Sequence, residues 1–260
     1  MTVGTELDNL RALAFPTTDS VEVVVSELIT PDLQLESLLS CLSADERLRQ
    51  QRFLLPDIRR RFGICRARLR HAIGNMLGIS AGDVKFKYNR LGKPSLADLH
   101  KSPLQFNVSH SDDWALFAFS KSTPVGIDIE VPRVRTKFLE LASQVLSEKE
   151  LAAIESMTLA ERELQIKLAW VAKESLLKAI GVGIGTGMRL VELRYPLQLV
   201  STPLSIDALL LERIDDDGTC RSSSWIDARA WRVHQLDIQP NATAALTCFS
   251  RIANVNLLRI

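Results

Sequence analysis

The pentapeptide GIDIE, Gly126 to Glu130, puts two carboxylates one residue apart in an otherwise apolar run. Read as a strand, its side chains alternate, so Ile127 and Ile129 enter a core while Asp128 and Glu130 share the other face, roughly 6.6 Å apart. Two charges at that spacing repel by about 2.5 kcal/mol at an effective dielectric of about 20, and a cation between them reverses the sign. A half-exposed strand with its polar face in water is the ordinary reading of a bare D-x-E and stands beside the metal-binding one. A second segment, AWVAKESLLKAIG from Ala169 to Gly181, has the periodicity and terminal glycine of the last turns of a helix. On it Trp170, Glu174 and Lys178 fall at i, i+4 and i+8 and share a stripe, with Lys173 beside it. An isolated Glu-x-x-x-Lys is also a common surface pair worth a few tenths of a kcal/mol, but a tryptophan on the stripe argues for a covered position. Third, FNVSHS, Phe106 to Ser111, ends an apolar strand in Ser-His-Ser, which offers phosphate an imidazole and hydroxyls or is simply a satisfied turn. No G-x-S-x-G elbow accompanies His110 to support a Ser-His-Asp triad. Fourth, NRLGKP, Asn89 to Pro94, is a turn carrying Lys93.

These residues need strands and helices to hold them. VEVVVSEL, Val21 to Leu28, reads as a strand. Ser43 with Glu46 has the form of a capping box opening a basic helix over 44–54, and Pro56 separates it from a second over 57–77 that closes at Gly78. From Asp83 to Glu130 short apolar runs alternate with turns, including SDD at 111–113, and predict strands joined by hairpins. A helical half follows: Thr136 to Val145, a helix opened by the Ser147–Glu150 capping box, and a long helix over 160–180. VELRYPLQL, SSWIDARAWRVHQLDI and AALTCFS return to strands, with ERIDDDG, Glu212 to Gly218, a solvated turn between them. The glycine run GVGIGTG, Gly181 to Gly187, closes a helix, whereas phosphate-cradling glycine loops follow a strand and open one, so it reads as a stop and a flexible connection. The order predicts two α+β halves meeting near residues 121–124; no internal sequence repeat is visible.

At 260 residues and 46% hydrophobic content, the chain resembles an ordinary globular protein large enough for one big domain or two modest ones. Four scattered cysteines without a C-x-x-C pair, and four histidines without ligand spacing, argue against a zinc site and a disulfide framework. No apolar run approaches a membrane span and the N-terminus lacks the apolar core of a signal peptide, so a cytoplasmic protein with no membrane partner is expected. The net charge of +1 conceals nine arginines against one acid, Asp57, between Arg47 and Arg70, a segment expected to attract polyanions.

Taken in order, LGKP, FNVSHS, VGIDIE and WVAKESLLKAIG resemble the motifs of the 4′-phosphopantetheinyl transferases of the large single-chain type that activates surfactin synthetase, a match spanning Leu91 to Gly181. The resemblance implies two similar α+β halves related by pseudo-two-fold symmetry, residues 1–123 and 124–260, with the active site in the cleft between them. It implies transfer of the 4′-phosphopantetheine of coenzyme A to a serine of an apo acyl, peptidyl or aryl carrier protein, of fatty-acid, polyketide or nonribosomal-peptide synthesis, leaving 3′,5′-ADP. By the same resemblance Asp128, Glu130 and Glu174 hold Mg²⁺, Glu174 is the candidate general base, and Lys178 and His110 act on the diphosphate. Arg49, Arg61, Lys93, Ser109, His110, Lys173 and Lys178 are then the candidate coenzyme A contacts, and the single chain is expected to work as a monomer. Glu46 stands where some relatives have a lysine, a departure at the 3′-phosphate.

Two rivals belong to other classes. A metal-dependent nuclease would use acids on a strand with a lysine, but Glu130 is followed by Val131-Pro132 and not by a Glu-x-Lys. A non-catalytic nucleic-acid binder would use the Arg47 to Arg70 surface, which lacks an aromatic platform for base stacking. No nucleic-acid partner is therefore expected.

Overall fold

The computed structural model describes residue 10 and residues 13–131, 138–181, 187–195, 197, 206–214, 220–225, 230–238 and 242–260. The first half runs β1 (Ser20–Glu27), α1 (Asp32–Leu39), α2 (Ala44–Gln51), α3 (Pro56–Leu77), β2 (Phe86–Tyr88), β3 (Pro94–Leu96), β4 (Gln105–Ser111) and β5 (Trp114–Ser120). The second runs β6 (Gly126–Glu130), α4 (Phe138–Val145), α5 (Glu148–Ile154), α6 (Leu159–Ile180), β7 (Val191–Leu193), β8 (Ile206–Ile214), β9 (Cys220–Trp225), β10 (Trp231–Leu236), β11 (Thr243–Phe249) and β12 (Asn254–Arg259). The succession repeats: a strand, two short helices, a 22-residue helix, a small sheet, an antiparallel pair. The main sheets repeat too, since β1-β5-β4 has the same order and antiparallel pairing as β6-β11-β10.

The repetition extends to side chains. Ser43 and Glu46 close a capping box on α2, and Ser147 and Glu150 close one on α5. Glu46 then pairs with Arg70 of α3, and Glu150 with Lys173 of α6. Each basic partner lies fourteen residues beyond the first residue of its long helix. Both long helices end on a glycine in the left-handed region, Gly78 at φ 67° and Gly181 at φ 88°.

Strand alternation builds four layers. Val24, Phe117 and Phe119 face α1 and α3 through Leu38, Ile64 and Leu69. Val21, Val23 and Leu116, on the opposite face, meet Ile127, Ile129 and Leu246 of the second sheet. The far face of that sheet packs Val233 and Ala245 against Leu168, Ala172 and Leu176 of α6. β1 is buried on both faces from Val23 to Ser26 because both are covered. On β6 the alternation sends Ile127 and Ile129 between the sheets and leaves Gly126, Asp128 and Glu130 on the side of α6.

β4 and β6 are edge strands of the two sheets, and side chains join them. Asn107 Oδ1 accepts from the Ile127 amide at 2.9 Å, Ser109 Oγ donates to Asp128 Oδ1 at 2.8 Å, and Ser111 Oγ accepts from the Val131 amide at 3.0 Å. These are alternate positions of FNVSHS, so one face of that strand stitches the halves together.

The boundary expected at 123/124 falls between β5 and β6, but the end of the chain does not stay with the second half. β12 pairs in parallel with β1, from Ser20↔Asn254 to Val25↔Arg259, and covers what would otherwise be an open sheet edge. α1 and β12 were not anticipated from sequence. Residues 136–137 of the expected Thr136 helix, residues 215–218 of the acidic turn and residues 182–186 of the glycine run lie outside the described residues.

The arginine-rich segment corrects a second expectation. Arg66, Arg68 and Arg70 are buried. Arg68 donates to Ser26 Oγ and the Ile29 carbonyl, and Arg70 to Glu46 and the Ala81 and Val84 carbonyls. Arg60 pairs with Asp32, and Arg61 with Asp112 and Asp113. Much of the segment's charge serves the first half internally. Among the described residues no helix is long and apolar enough to cross a membrane.

Candidate active site

A cleft of about 360 Å³ opens where the halves meet. The first half contributes Arg49, Phe62, Arg66, Lys93 and His110, and the end of α6 contributes Lys178 and Gly181. Five of these side chains are basic, and no carboxylate is among the described residues lining the cleft. Such a lining favours a polyanion. Burial first, then the nearby Lys178, Arg66 and Arg49 charges, push the His110 imidazole below its ordinary value. Burial lowers Lys93 from the ordinary 10.5 to about 8. Cys65, also on the cleft wall, is pushed up to about 12 and is inert as a nucleophile.

Behind Lys178 lie the acids. Its Nζ is 2.7 Å from Asp128 Oδ1, 3.1 Å from Glu174 Oε1 and 3.0 Å from Ser109 Oγ. Burial raises the Asp128 carboxyl to about 6, Lys178 opposing and Glu174 adding to the shift. For Lys178, burial alone would lower the ammonium, but Asp128 and Glu174 outweigh it and hold it above the ordinary lysine value. Gly126 makes this cluster possible: a Cβ there would collide with the Ser175 carbonyl and the Ala179 amide, so only glycine lets α6 lie this close to β6.

The structure thus brings together Asp128, Glu174, Lys178, Ser109 and, at the cleft wall, His110, Lys93 and Arg49. Glu130 is half-buried at the end of β6, on the same face as Asp128 and opposite Thr243 in the ladder. Among the described residues no three His, Cys, Asp or Glu side chains converge as a ready-made cation cage. A divalent cation nevertheless fits the donor set. Asp128 Oδ2 is buried with no hydrogen-bond partner, a costly state, and carboxylate oxygens are what Mg²⁺ takes.

Other expected contacts are placed elsewhere. Lys173 is fully buried, its ammonium held by Glu150 and by the Val145 carbonyl at 2.8 Å. One residue along a helix turns through about 100°, so adjacency to Glu174 sends Lys173 to a different face. Arg61 binds the Asp112 and Asp113 carboxylates at 3.0 and 2.7 Å and does not line the cleft. Ser109 is occupied by Asp128 and Lys178. Lys93 donates to the Lys178 and Ala179 carbonyls, tying the β2–β3 turn to the last turn of α6. Glu46 is buried against Arg70 and 3.6 Å from Arg66, and is a helix cap, not a cleft residue.

Sequence reasoning missed Arg66, Phe62 and Asn107. Phe62, Cys65 and Arg66 follow the i, i+3, i+4 pattern of one helix face, which would have pointed them to a common surface. Arg66 is aligned by the Tyr88 hydroxyl at 2.7 Å and lies over the Phe86 and Tyr88 rings.

Comparison with known proteins gives the family. Residues 124–208 match the 4′-phosphopantetheinyl transferase superfamily, and residues 30–122 match the 4′-phosphopantetheinyl transferase N-terminal family. The 4′-phosphopantetheinyl transferase HetI of Nostoc sp. is 33% identical over 215 residues, 82% of this chain and 90% of the relative. The 4′-phosphopantetheinyl transferase Sfp of Bacillus subtilis is 30% identical over 149 residues, 57% of this chain and 64% of the relative. The L-aminoadipate-semialdehyde dehydrogenase-phosphopantetheinyl transferase of Xenopus laevis is 30% identical over 161 residues, 58% of this chain and 53% of the relative. With most of both lengths aligned to HetI and both halves matched, the chain belongs to the 4′-phosphopantetheinyl transferases, enzymes that move the phosphopantetheine arm of coenzyme A onto carrier proteins.

Proposed function

We propose that coenzyme A lies in the cleft with its diphosphate beside Lys178 and His110 and its 3′-phosphate toward Arg49 and Arg66, and that Asp128 and Glu174, with Glu130 directly or through water, hold Mg²⁺. The observation that carries this reading is the Asp128–Lys178–Glu174 cluster just behind a cleft whose charged lining side chains are all basic, with one Asp128 oxygen buried and unpaired. The metal supplies charge neutralisation at the diphosphate oxygens when bound.

The chain's own groups account for the remaining steps. Glu174, directly or through a water, accepts the proton of the carrier serine as its oxygen attacks the β-phosphate. The bond to the 5′-phosphate of 3′,5′-ADP breaks, and Lys178 stabilises the negative charge left on that oxygen. Lys93, Arg49, Arg66 and His110 orient the anion, which matters because phosphoryl transfer depends mainly on positioning and electrostatics. Arg61 acts at a distance by fixing the β4–β5 turn that follows His110. The partners are apo acyl, peptidyl or aryl carrier proteins of fatty-acid, polyketide or nonribosomal-peptide synthesis, met in the cytoplasm by a monomer whose single chain supplies both cleft walls. The test is intact-mass spectrometry of such carriers incubated with the protein, coenzyme A and Mg²⁺. One phosphopantetheine per carrier is the expected gain; no gain on any carrier class, with metal-dependent cleavage of an oligonucleotide instead, would reverse the reading in favour of a nuclease.

Lys93 gives this binding a pH signature. With its pKa near 8, the ammonium is lost as pH rises through that value, and a bound phosphate favours the charged form. Coenzyme A binding should therefore take up a proton above pH 8, and affinity should fall by roughly threefold or more between pH 7.5 and 9.0. Calorimetry in buffers of differing ionisation enthalpy reads both quantities. The fall should be largely absent in Lys93→Gln; an equal fall in that variant would assign the titration to another group.

A further inference from the structure

We propose that Lys178 is a built-in counter-ion that keeps the metal out until coenzyme A arrives, so that the two ligands bind with positive coupling through this one side chain. The inference rests on the metal reading above. An ammonium group has three donors, and Lys178 spends them on Asp128 Oδ1, Glu174 Oε1 and Ser109 Oγ, at 2.7, 3.1 and 3.0 Å. None is left for a phosphate. The lysine is thus engaged with the two acids a divalent ion would need.

Two cations cannot share this pair of acids at contact distance without strong repulsion in a site whose Asp128 and Glu174 are both buried. A metal ion must therefore displace the ammonium. Lys178 can leave in one direction, because its side chain is 23% exposed and borders the cleft. In the empty cleft that route leads toward Arg49, Arg66 and Lys93, which repel it. With a diphosphate there the same route leads to an anion. The nucleotide makes displacement favourable, the metal then meets two vacated carboxylates, and by linkage each ligand strengthens the other.

The experiment is titration of Mn²⁺, read by calorimetry and by the loss of the free-ion electron paramagnetic resonance signal, into wild type, Lys178→Met and Lys178→Gln, each with and without saturating coenzyme A. Without coenzyme A, both variants should bind Mn²⁺ about tenfold or more tighter than wild type, within the roughly 5- to 150-fold range usual for coupled sites. Coenzyme A should tighten Mn²⁺ binding strongly in wild type and much less in either variant, although transfer itself falls in both. Equal or weaker Mn²⁺ binding by both variants would overturn the counter-ion role and leave the metal assignment standing. No Mn²⁺ binding by any of the three proteins, with or without coenzyme A, would overturn the metal assignment and this inference together.

Discussion

Asp128→Asn should lower carrier-protein phosphopantetheinylation at saturating coenzyme A and Mg²⁺ by at least about a thousandfold, on the order of 4 kcal/mol of transition-state stabilisation. The change is one atom in shape but not in chemistry. The amide oxygen can still accept from Ser109 and Lys178, as Asp128 Oδ1 does now, so the local hydrogen bonds survive. The other oxygen, buried and unpartnered, becomes an NH₂ group that cannot ligate a cation, and the net charge facing the diphosphate becomes one unit more positive. Coenzyme A should therefore bind about as well or better, while turnover is lost. Stability should change little, because the substitution removes a buried carboxylate whose ionisation burial already opposes. A thermal melt beside the turnover assay separates the two effects. Turnover within about tenfold of wild type would show that Asp128 is a structural partner of Lys178 and not a metal ligand.

Much of this arrangement was legible because it is local. GIDIE and FNVSHS obey the two-residue strand period, and three of their alternate side chains meet where the pattern places them, Ser109 on Asp128 and Asn107 and Ser111 on the amides of residues 127 and 131. The capping boxes at Ser43 and Ser147 are read from four letters each, and both form. Depth was not legible. Nine arginines between Arg47 and Arg70 look like a polyanion-binding surface, yet Arg68 and Arg70 are among the most buried of the described side chains; a sequence states charge, and only the partner elements state whether it meets water. Lys173 and Lys178 are both five letters or fewer from Glu174, and a rotation of the helix separates a core ion pair from a cleft cation. Long-range parallel pairing was equally hidden, since nothing in NVNLLR says that it lies beside a strand more than two hundred residues earlier.

The shared plan of the halves explains why only one is chemically armed. Glu46–Arg70 and Glu150–Lys173 hold equivalent turns in equivalent helices, so both halves keep the ion pair that fixes the long helix. The second half adds what the first lacks: Glu174 and Lys178, side by side with a strand that carries Asp128 two residues beyond a glycine. In the first half the long helix turns Arg66 toward the cleft instead. In the proposed reading one half grips the anion and the other works on it, which requires the seam between β4 and β6 to be stiff. The bonds from Asn107, Ser109 and Ser111 provide that stiffness at the point where the two sets of charges meet.

Gly126→Ala should fail in a different way, losing stability and activity together. A methyl group there would overlap the carbonyl oxygen of Ser175 and the amide nitrogen of Ala179 and would sit 3.0 Å from Ala179 Cα. All three are backbone atoms, so no rotamer change relieves the clash, and either β6 must buckle or α6 must move outward. Overpacking of this kind typically costs about 1–3 kcal/mol, and the upper end is expected where only backbone can yield. For a chain of this size that corresponds to a fall in Tm of roughly 6–12 °C. The displaced helix carries Glu174 and Lys178, which flank the two residues struck, whereas Asp128 stays with the strand. A shift of about 1 Å across such a site can cost a hundredfold in rate, so transfer measured well below the melting temperature should fall by about that factor even in fully folded protein. Mn²⁺ affinity should fall as well, because the acids no longer face one another at the same spacing. A variant that melts within about 2 °C of wild type and transfers normally would mean that β6 and α6 are not held in register by this contact, and that the closeness of the strand acid to the helix acid has another cause.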